Sequence, residues 1–313
     1  MKKIFVAVTL LLLASNSNAC SICGCGGGNL YIGMYPIFDS KFIGIRYNYS
    51  DYKTVLQNDP TQYSKNTYTN YEIWAGANLS KKWQLFAILP YQYNKQLSDD
   101  GNNISQGIGD LTLLTNYQIL NQRKVVNNKK LILHQLWIGG GLKLKTGKFE
   151  MDVHDPNATL AIANAQMGTG STDFLFNFRD VYQVENWGLA SNVNYKINTS
   201  NGKGYQYGNK LMFSSTVFYN LNFKEMSIIP NAGIQFENLD GNKLDGQLIS
   251  LSEGLDSGAY YTGGHCLNLQ TGIETNLRKI SLGFNFQLPI QQNFAASQTN
   301  LNWKGSIHLT YNF

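Results

Sequence analysis

The chain ends on "SIHLTYNF", Ser306–Phe313, and the two sides of this octapeptide are chemically opposite. In an extended backbone Ile307, Leu309, Tyr311 and Phe313 fall on one face, and Ser306, His308, Thr310 and Asn312 on the other. A side-chain period of two belongs to a β-strand. Upstream, "ISLGFNFQLPI", Ile280–Ile290, repeats the pattern: Ile280, Leu282, Phe284, Phe286, Leu288 and Ile290 alternate with Ser281, Gly283, Asn285, Gln287 and Pro289. Leu211 to Leu221, Leu267 to Leu277 and Leu111 to Ile119 read the same way. Composition agrees with interleaved polar and apolar residues: 14% are charged and 13% aromatic, with 19 Tyr and 16 Phe, yet mean hydropathy is −0.26.

Alternation serves two architectures, a sandwich whose apolar faces meet, and a membrane barrel whose apolar face meets lipid while the polar face lines the lumen. Connection lengths separate them. Strands placed at 41–53, 67–79, 82–95, 108–120, 131–145, 172–184, 187–199, 209–222, 226–239, 264–277, 280–291 and 300–313 number twelve. The short connections "SK", "EN", "FKE" and "RK" then fall on one side, with the intermediate "NQRKVVNNKK", residues 121–130. The long ones, 56–66, 96–107, 146–171 and 240–263, fall on the other. Such sorting, with both chain ends on the short-turn side, is the signature of an all-β, single antiparallel transmembrane β-barrel of about twelve strands. Trp83, Tyr91 and Tyr93, Tyr47 and Tyr49, and Tyr311 and Phe313 are expected to form aromatic girdles.

The N-terminus supplies an address. Lys2 and Lys3 precede an apolar run from Ile4 to Ala14, and Ser17-Asn18-Ala19 offers small residues before Cys20, so residues 1–19 read as a signal peptide. The run is too short for a membrane-spanning helix, which needs about 20 residues. The expected organisation is signal peptide 1–19, Cys/Gly-rich periplasmic tail 20–40 and barrel 41–313, in the outer membrane and surrounded by its lipid bilayer. Without the two signal lysines, 23 basic residues face 20 acidic ones, so no concentrated basic stripe marks a nucleic-acid partner. The terminal Phe313 is the expected signal for barrel-assembly machinery.

Three stretches carry a family resemblance: "GIGDLTLLTNYQIL" (Gly107 to Leu120), "MGTGSTDFLFNFRDVYQ" (Met167 to Gln183) and "YQYGNKLMFSSTVFYNL" from Tyr205. They resemble the outer-membrane barrel family named for the meta-pathway of phenol degradation, often labelled simply "transporter", and "CSICGCGGG" from Cys20 resembles a subgroup with a cysteine-rich tail. The resemblance implies a β-barrel and the passage of small molecules, of unspecified solute. It implies no catalytic residues.

Parity of the alternation places Arg46, Glu72, Asp110, Lys143, Lys145, Asp173, Arg179, Lys196, Glu237 and Glu274 on the inner face, with Arg46, Glu72, Arg179 and Glu274 near mid-height. These lumen-lining charges either filter a polar solute or pair with one another so that no charge is left bare. Cys20, Cys23 and Cys25 form C-x-x-C-x-C, suited to copper or zinc through soft thiolates, with Cys266, His265 or a residue from a partner as the fourth ligand. Disulfides in an oxidising compartment and lipidation of Cys20 are the other readings. This leaves two functional alternatives, a channel for small molecules across the outer membrane and a metal-binding or redox-linked protein whose barrel is an anchor for the tail. His154 beside Asp155 offers a base without a distinguishable nucleophile, so the chain is expected not to be an enzyme.

Overall fold

A computed structural model describes residues 41–55, 63–98, 101–126, 130–151, 153, 166–249, 262–294 and 297–313. The signal peptide, the tail with Cys20, Cys23 and Cys25, and His154 with Asp155 lie outside the described residues. Twelve antiparallel strands form the wall: β1 (Phe42–Val55), β2 (Tyr63–Asn78), β3 (Trp83–Ser98), β4 (Gly101–Ile108 continued by Thr112–Val126), β5 (Lys130–Lys143), β6 (Asp173–Val184), β7 (Trp187–Ile197), β8 (Lys210–Tyr219), β9 (Met226–Leu239), β10 (Gly264–Leu277), β11 (Ile280–Phe294) and β12 (Thr299–Asn312). Each pairs with its sequence neighbours, and β1 pairs with β12, so the sheet closes and leaves no edge.

The register fixes the barrel's shape. A row of cross-strand partners begun at Phe42 runs through Gly76, Phe86, Leu114 and Leu175 to Lys196, crosses β8 to β12, and returns to β1 at Thr54, a stagger of 54 − 42 = 12 residues. With strands about 4.8 Å apart and about 3.3 Å per residue, twelve strands and that stagger give a tilt of about 35° and a backbone cylinder roughly 22 Å across.

Outward side chains are apolar, as the octapeptide foretells: Ile307 is 47% exposed, Leu309 45% and Tyr311 42%, whereas inward His308 and Thr310 are 7% and 2%. Five connections and both barrel termini lie at one end; the tightest, at Glu185 and Arg278, hold a residue at φ 55° and 51°. The long connections lie at the other end, which the short-turn rule makes the cell exterior. There, Tyr205–Gln206, Lys243–Leu244 and Gln247–Leu248 form a small sheet over Met151, Val153, Tyr207 and Ile249.

Three sequence expectations need correction. Residues 96–107 are mostly strand, because β3 and the first part of β4 continue as a hairpin beyond the membrane-depth wall. The fourth strand, placed at 108–120, starts at Gly101 and is broken at residues 109–111, where Pro90 opposite has no N–H to donate and its carbonyl accepts from Gly109 N at 2.8 Å. Residues 121–126 and 130 are strand, not turn, since β4 and β5 stay paired out to Val126 and Lys130.

The girdle also differs. Trp83 stacks near Tyr117, Trp187 near Tyr219 and Tyr311 near Phe313 at the short-turn end. Tyr47, Tyr71 and Tyr91 instead form one cross-strand row midway along the wall and, with Ile45, Ile73 and Ile307, line a lipid-facing groove of about 500 Å³.

Candidate functional site

The polar face encloses the lumen, and its charges are arranged in pairs by the strand register. Arg46 on β1 lies opposite Glu72 on β2 and opposite His308 on β12. Its Nε donates to Glu72 Oε2 at 2.6 Å, and its guanidinium sits 5.3 Å from the centre of the Trp74 ring. His308 Nε2 approaches Glu274 Oε2 to 3.1 Å. Gly283, the partner of His308, makes that contact possible: a Cβ there would lie 2.2 Å from the His308 ring and 2.4 Å from the Glu274 carboxylate. All four charged or ring side chains are nearly dry, at 1% to 7% exposed.

A second group lies toward the exterior. Glu237 on β9 accepts from Lys304 Nζ at 2.6 Å and is 3.1 Å from Lys210 Nζ. Its cross-strand partner is Cys266, fully buried, whose thiol donates to Asn268 Oδ1 at 3.2 Å.

A third group holds the longest outer connection. Lys143 at the end of β5 lies 2.5 Å from Asp110 and 2.8 Å from Asp173, and also bonds Thr169. Asp110, in the break of β4, accepts from Gly147 N and Thr169 N, each at 2.9 Å. The connection's two stems are thus tied to one carboxylate. Gln92 Nε2 donates to Met167 O at 3.0 Å, bringing the same segment against the lumen wall.

Arg179 sits on the inward parity of β6, opposite Trp137 and Asn192, partly buried. Lys196 faces inward and is 7% exposed. Lys145 does not line the lumen: β5 ends at Lys143, and Lys145 is exposed beyond it.

The interior is not uniformly polar. Phe42, Trp74, Phe86, Ile88, Leu114 and Leu175 form one buried apolar cluster, and Val181, Ala190, Phe218 and Ile229 another toward the short-turn end. Small residues admit the rings; a Cβ on Gly76 would lie 2.1 Å from Phe42, and one on Gly188 2.0 Å from Phe218. Sequence reasoning missed these clusters, because "LFAIL" (residues 85–89) and "VFY" (residues 217–219) are apolar on both parities. It set Asn285 and Gln287 on the polar face but gave the inward amides no role, although "YNY", "FNFQ" and "LNLQ" set Asn or Gln at every second position.

Among the described residues no cluster of three or more His, Cys, Asp and Glu side chains is disposed to hold a metal ion. His134 pairs with Asp180 at 2.8 Å near the short-turn end.

No protein-family model and no curated protein matches the chain. Solved structures do. An outer membrane channel from Pseudomonas putida F1 is similar at a TM-score of 0.58 and 11% identity, covering 89% of this chain and 97% of that one. The beta domain of the Bordetella autotransporter BrkA follows at 0.51 and 11%, covering 88% and 100%. The transport unit of the Escherichia coli autotransporter AIDA-I stands at 0.50 and 12%, covering 93% and 96%. At such identities the likeness is one of fold: the chain is a closed twelve-stranded antiparallel barrel of the outer-membrane type.

Proposed function

We propose that this protein is an outer-membrane channel that passes small molecules through the barrel lumen. The observation that carries this reading is a largely polar inner face, interrupted by the apolar clusters, inside a wall whose outer side is apolar, since polar groups across hydrocarbon are what a small polar solute needs. The name of the Pseudomonas structure, an outer membrane channel, supports it at the level of fold. The resemblance to the phenol meta-pathway barrels agrees with that likeness.

Arg46, Glu72, Asp110, Arg179, Glu237 and Glu274 are in this reading lumen residues. Arg46, Glu72, Asp110, Glu237 and Glu274 are held in the pairs described above, which keeps the interior close to neutral and the passage narrow. A barrel of this size packed with side chains conducts far less than a water-filled porin of 16 strands. Phe313, outward and 64% exposed beside Tyr311, fits the role of assembly signal at the barrel's end.

The test is single-channel recording of the refolded full chain in a planar bilayer. Small, steady conductance steps are expected. A barrel that gives no steps, and no solute entry in vesicles, is not a channel.

A further inference from the structure

Beside the ion pairs, a different chemistry faces inward. Directly outside the Arg46 row, Asn48 on β1 lies opposite Ser306 on β12, which lies opposite Asn285 on β11. One row further out, Gln270 on β10 faces Gln287 on β11, and the same row continues through Lys304 and Ser50 to Tyr68 and Asn94 on β3. Next to Gln270 on the inward parity of β10 is Asn268. Six carboxamides thus line half the circumference, β10 to β3, within two or three rows.

Each of the six is at least nine-tenths buried, and each keeps an unspent polar atom. Asn268 is 0% exposed, Gln270 1%, Gln287 3%, and Asn48, Asn94 and Asn285 4%. Among the described residues Nδ2 of Asn48, Asn94, Asn268 and Asn285 has no acceptor, and Oδ1 of Asn48 and Asn94 and Oε1 of Gln270 and Gln287 have no donor. Only one bond joins members of the group, Gln287 Nε2 to Asn285 Oδ1 at 3.0 Å. Buried polar groups are satisfied in folded proteins, so unpaired ones in a cluster mark a place where something else completes them.

The chemistry of that something follows from the inventory. A hydrocarbon would leave every one of these amides dry and unpaired, at a penalty for each. A charged solute would need an unspent counter-charge, whereas Arg46, Glu72, Glu274, Glu237 and Lys304 are already committed to partners. A hydroxyl group donates and accepts through one atom, and a carboxamide does both through two. Donors and acceptors in nearly equal number, on a neutral wall, match a solute rich in hydroxyls.

We infer that the amide belt is the solute-selective site of the channel and that it takes small uncharged polyhydroxylated molecules of the sugar type. This rests on the channel reading above and specifies its substrate. The solute passes by exchanging its hydration shell for the belt's amide hydrogen bonds.

The test uses the full chain refolded into vesicles, with swelling in D-glucose compared with swelling in sodium D-gluconate, which is of like size and charged, and with potassium chloride conductance recorded in parallel. Glucose should enter several-fold faster than gluconate and with saturation. Replacing the facing pair, Gln270→Leu with Gln287→Leu, should slow glucose about tenfold while chloride steps persist, and Gln270→Asn with Gln287→Asn should restore part of the rate. Chloride steps with glucose excluded, or entering no faster than gluconate, overturn the inference and leave the channel standing. Unchanged glucose entry in the Leu pair means that water alone completes the amides, which also overturns it. Absence of both steps and swelling removes the channel reading and the inference with it. If the Leu pair loses its folded gel mobility, the Asn pair decides: glucose entry equal to that of the unmodified chain, with no glucose-dependent change in tryptophan fluorescence in either, counts against the site.

Discussion

Arg46 and Glu72 are 26 residues apart in sequence and directly opposite each other on β1 and β2, with Nε 2.6 Å from the carboxylate and both side chains almost wholly withdrawn from water. A pair so buried gains little over apolar packing, but either partner alone is a bare charge in a dry wall. Glu72→Ala and Arg46→Leu are each expected to destabilise the barrel by about 3–5 kcal/mol. The double substitution Arg46→Leu with Glu72→Leu should cost clearly less than the sum. Urea titration of the vesicle-inserted barrel, followed by tryptophan fluorescence, measures the cycle. Additive losses would show that the two side chains do not act as a pair.

Lys143 is the common partner of Asp110, Asp173 and Thr169, so it joins the break in β4 to both stems of the connection 144–172. In Lys143→Met the two carboxylates face each other without the intervening cation, and the connection loses its tether. Protease nicking between residues 144 and 172 is expected to accelerate by about tenfold or more, while the strands resist cleavage as before. The triple change Lys143→Met, Asp110→Asn, Asp173→Asn should reverse much of this. Mass spectrometry of the nicked products locates the cuts; equal rates in all three proteins would mean that other contacts hold the segment.

How much of this was legible depends on whether the deciding interaction is local. The alternation of Ile307, Leu309 and Tyr311 with His308 and Thr310 is a property of neighbouring residues, and it placed each on its correct side. The two-residue turns at Glu185 and Arg278 were legible for the same reason. The break in β4 was not, because it depends on Pro90 meeting Gly109 across a strand boundary. The run from Asn121 to Lys130 is charged like a turn, yet its strands stay paired out to Val126 and Lys130, where most side chains are exposed. Parity alone assigned Arg46, Glu72, Asp110, Glu237 and Glu274 to the inner face, and each is 1% to 5% exposed, but parity named none of their partners. That Glu237 meets both Lys304 and Lys210 is fixed by the stagger of the whole barrel.

Lipid contact should make the outer face depth-sensitive. Ile45 lies midway along the wall and is 61% exposed, whereas Ile280 opens β11 at the short-turn end and is 44% exposed. Ile45→Arg is expected to cost about 2–4 kcal/mol and Ile280→Arg about 0–1 kcal/mol, because the midplane desolvates the guanidinium and the interface does not. Unfolding titrations in vesicles compare them directly. Equal losses would place the two residues at the same depth and contradict the tilt derived from the register.

Cys266 faces the lumen beside Glu237, is 0% exposed, and spends its proton on Asn268. A thiol reacts through its thiolate and only when a reagent can reach it, and this one is walled in by Leu239, Phe294 and Leu301. In a chain carrying Cys20→Ser, Cys23→Ser and Cys25→Ser, maleimide labelling of the folded barrel is therefore expected to be slower by about a hundredfold or more than in urea, since reaction must await local opening of the wall. Glu237→Gln should speed it, because loss of the carboxylate releases Lys304 and loosens the β9–β10 packing over the sulfur. Rapid labelling of the folded protein would instead mean that solvent reaches the outer half of the lumen freely, and that the side chains packed there leave a wider passage than their burial implies.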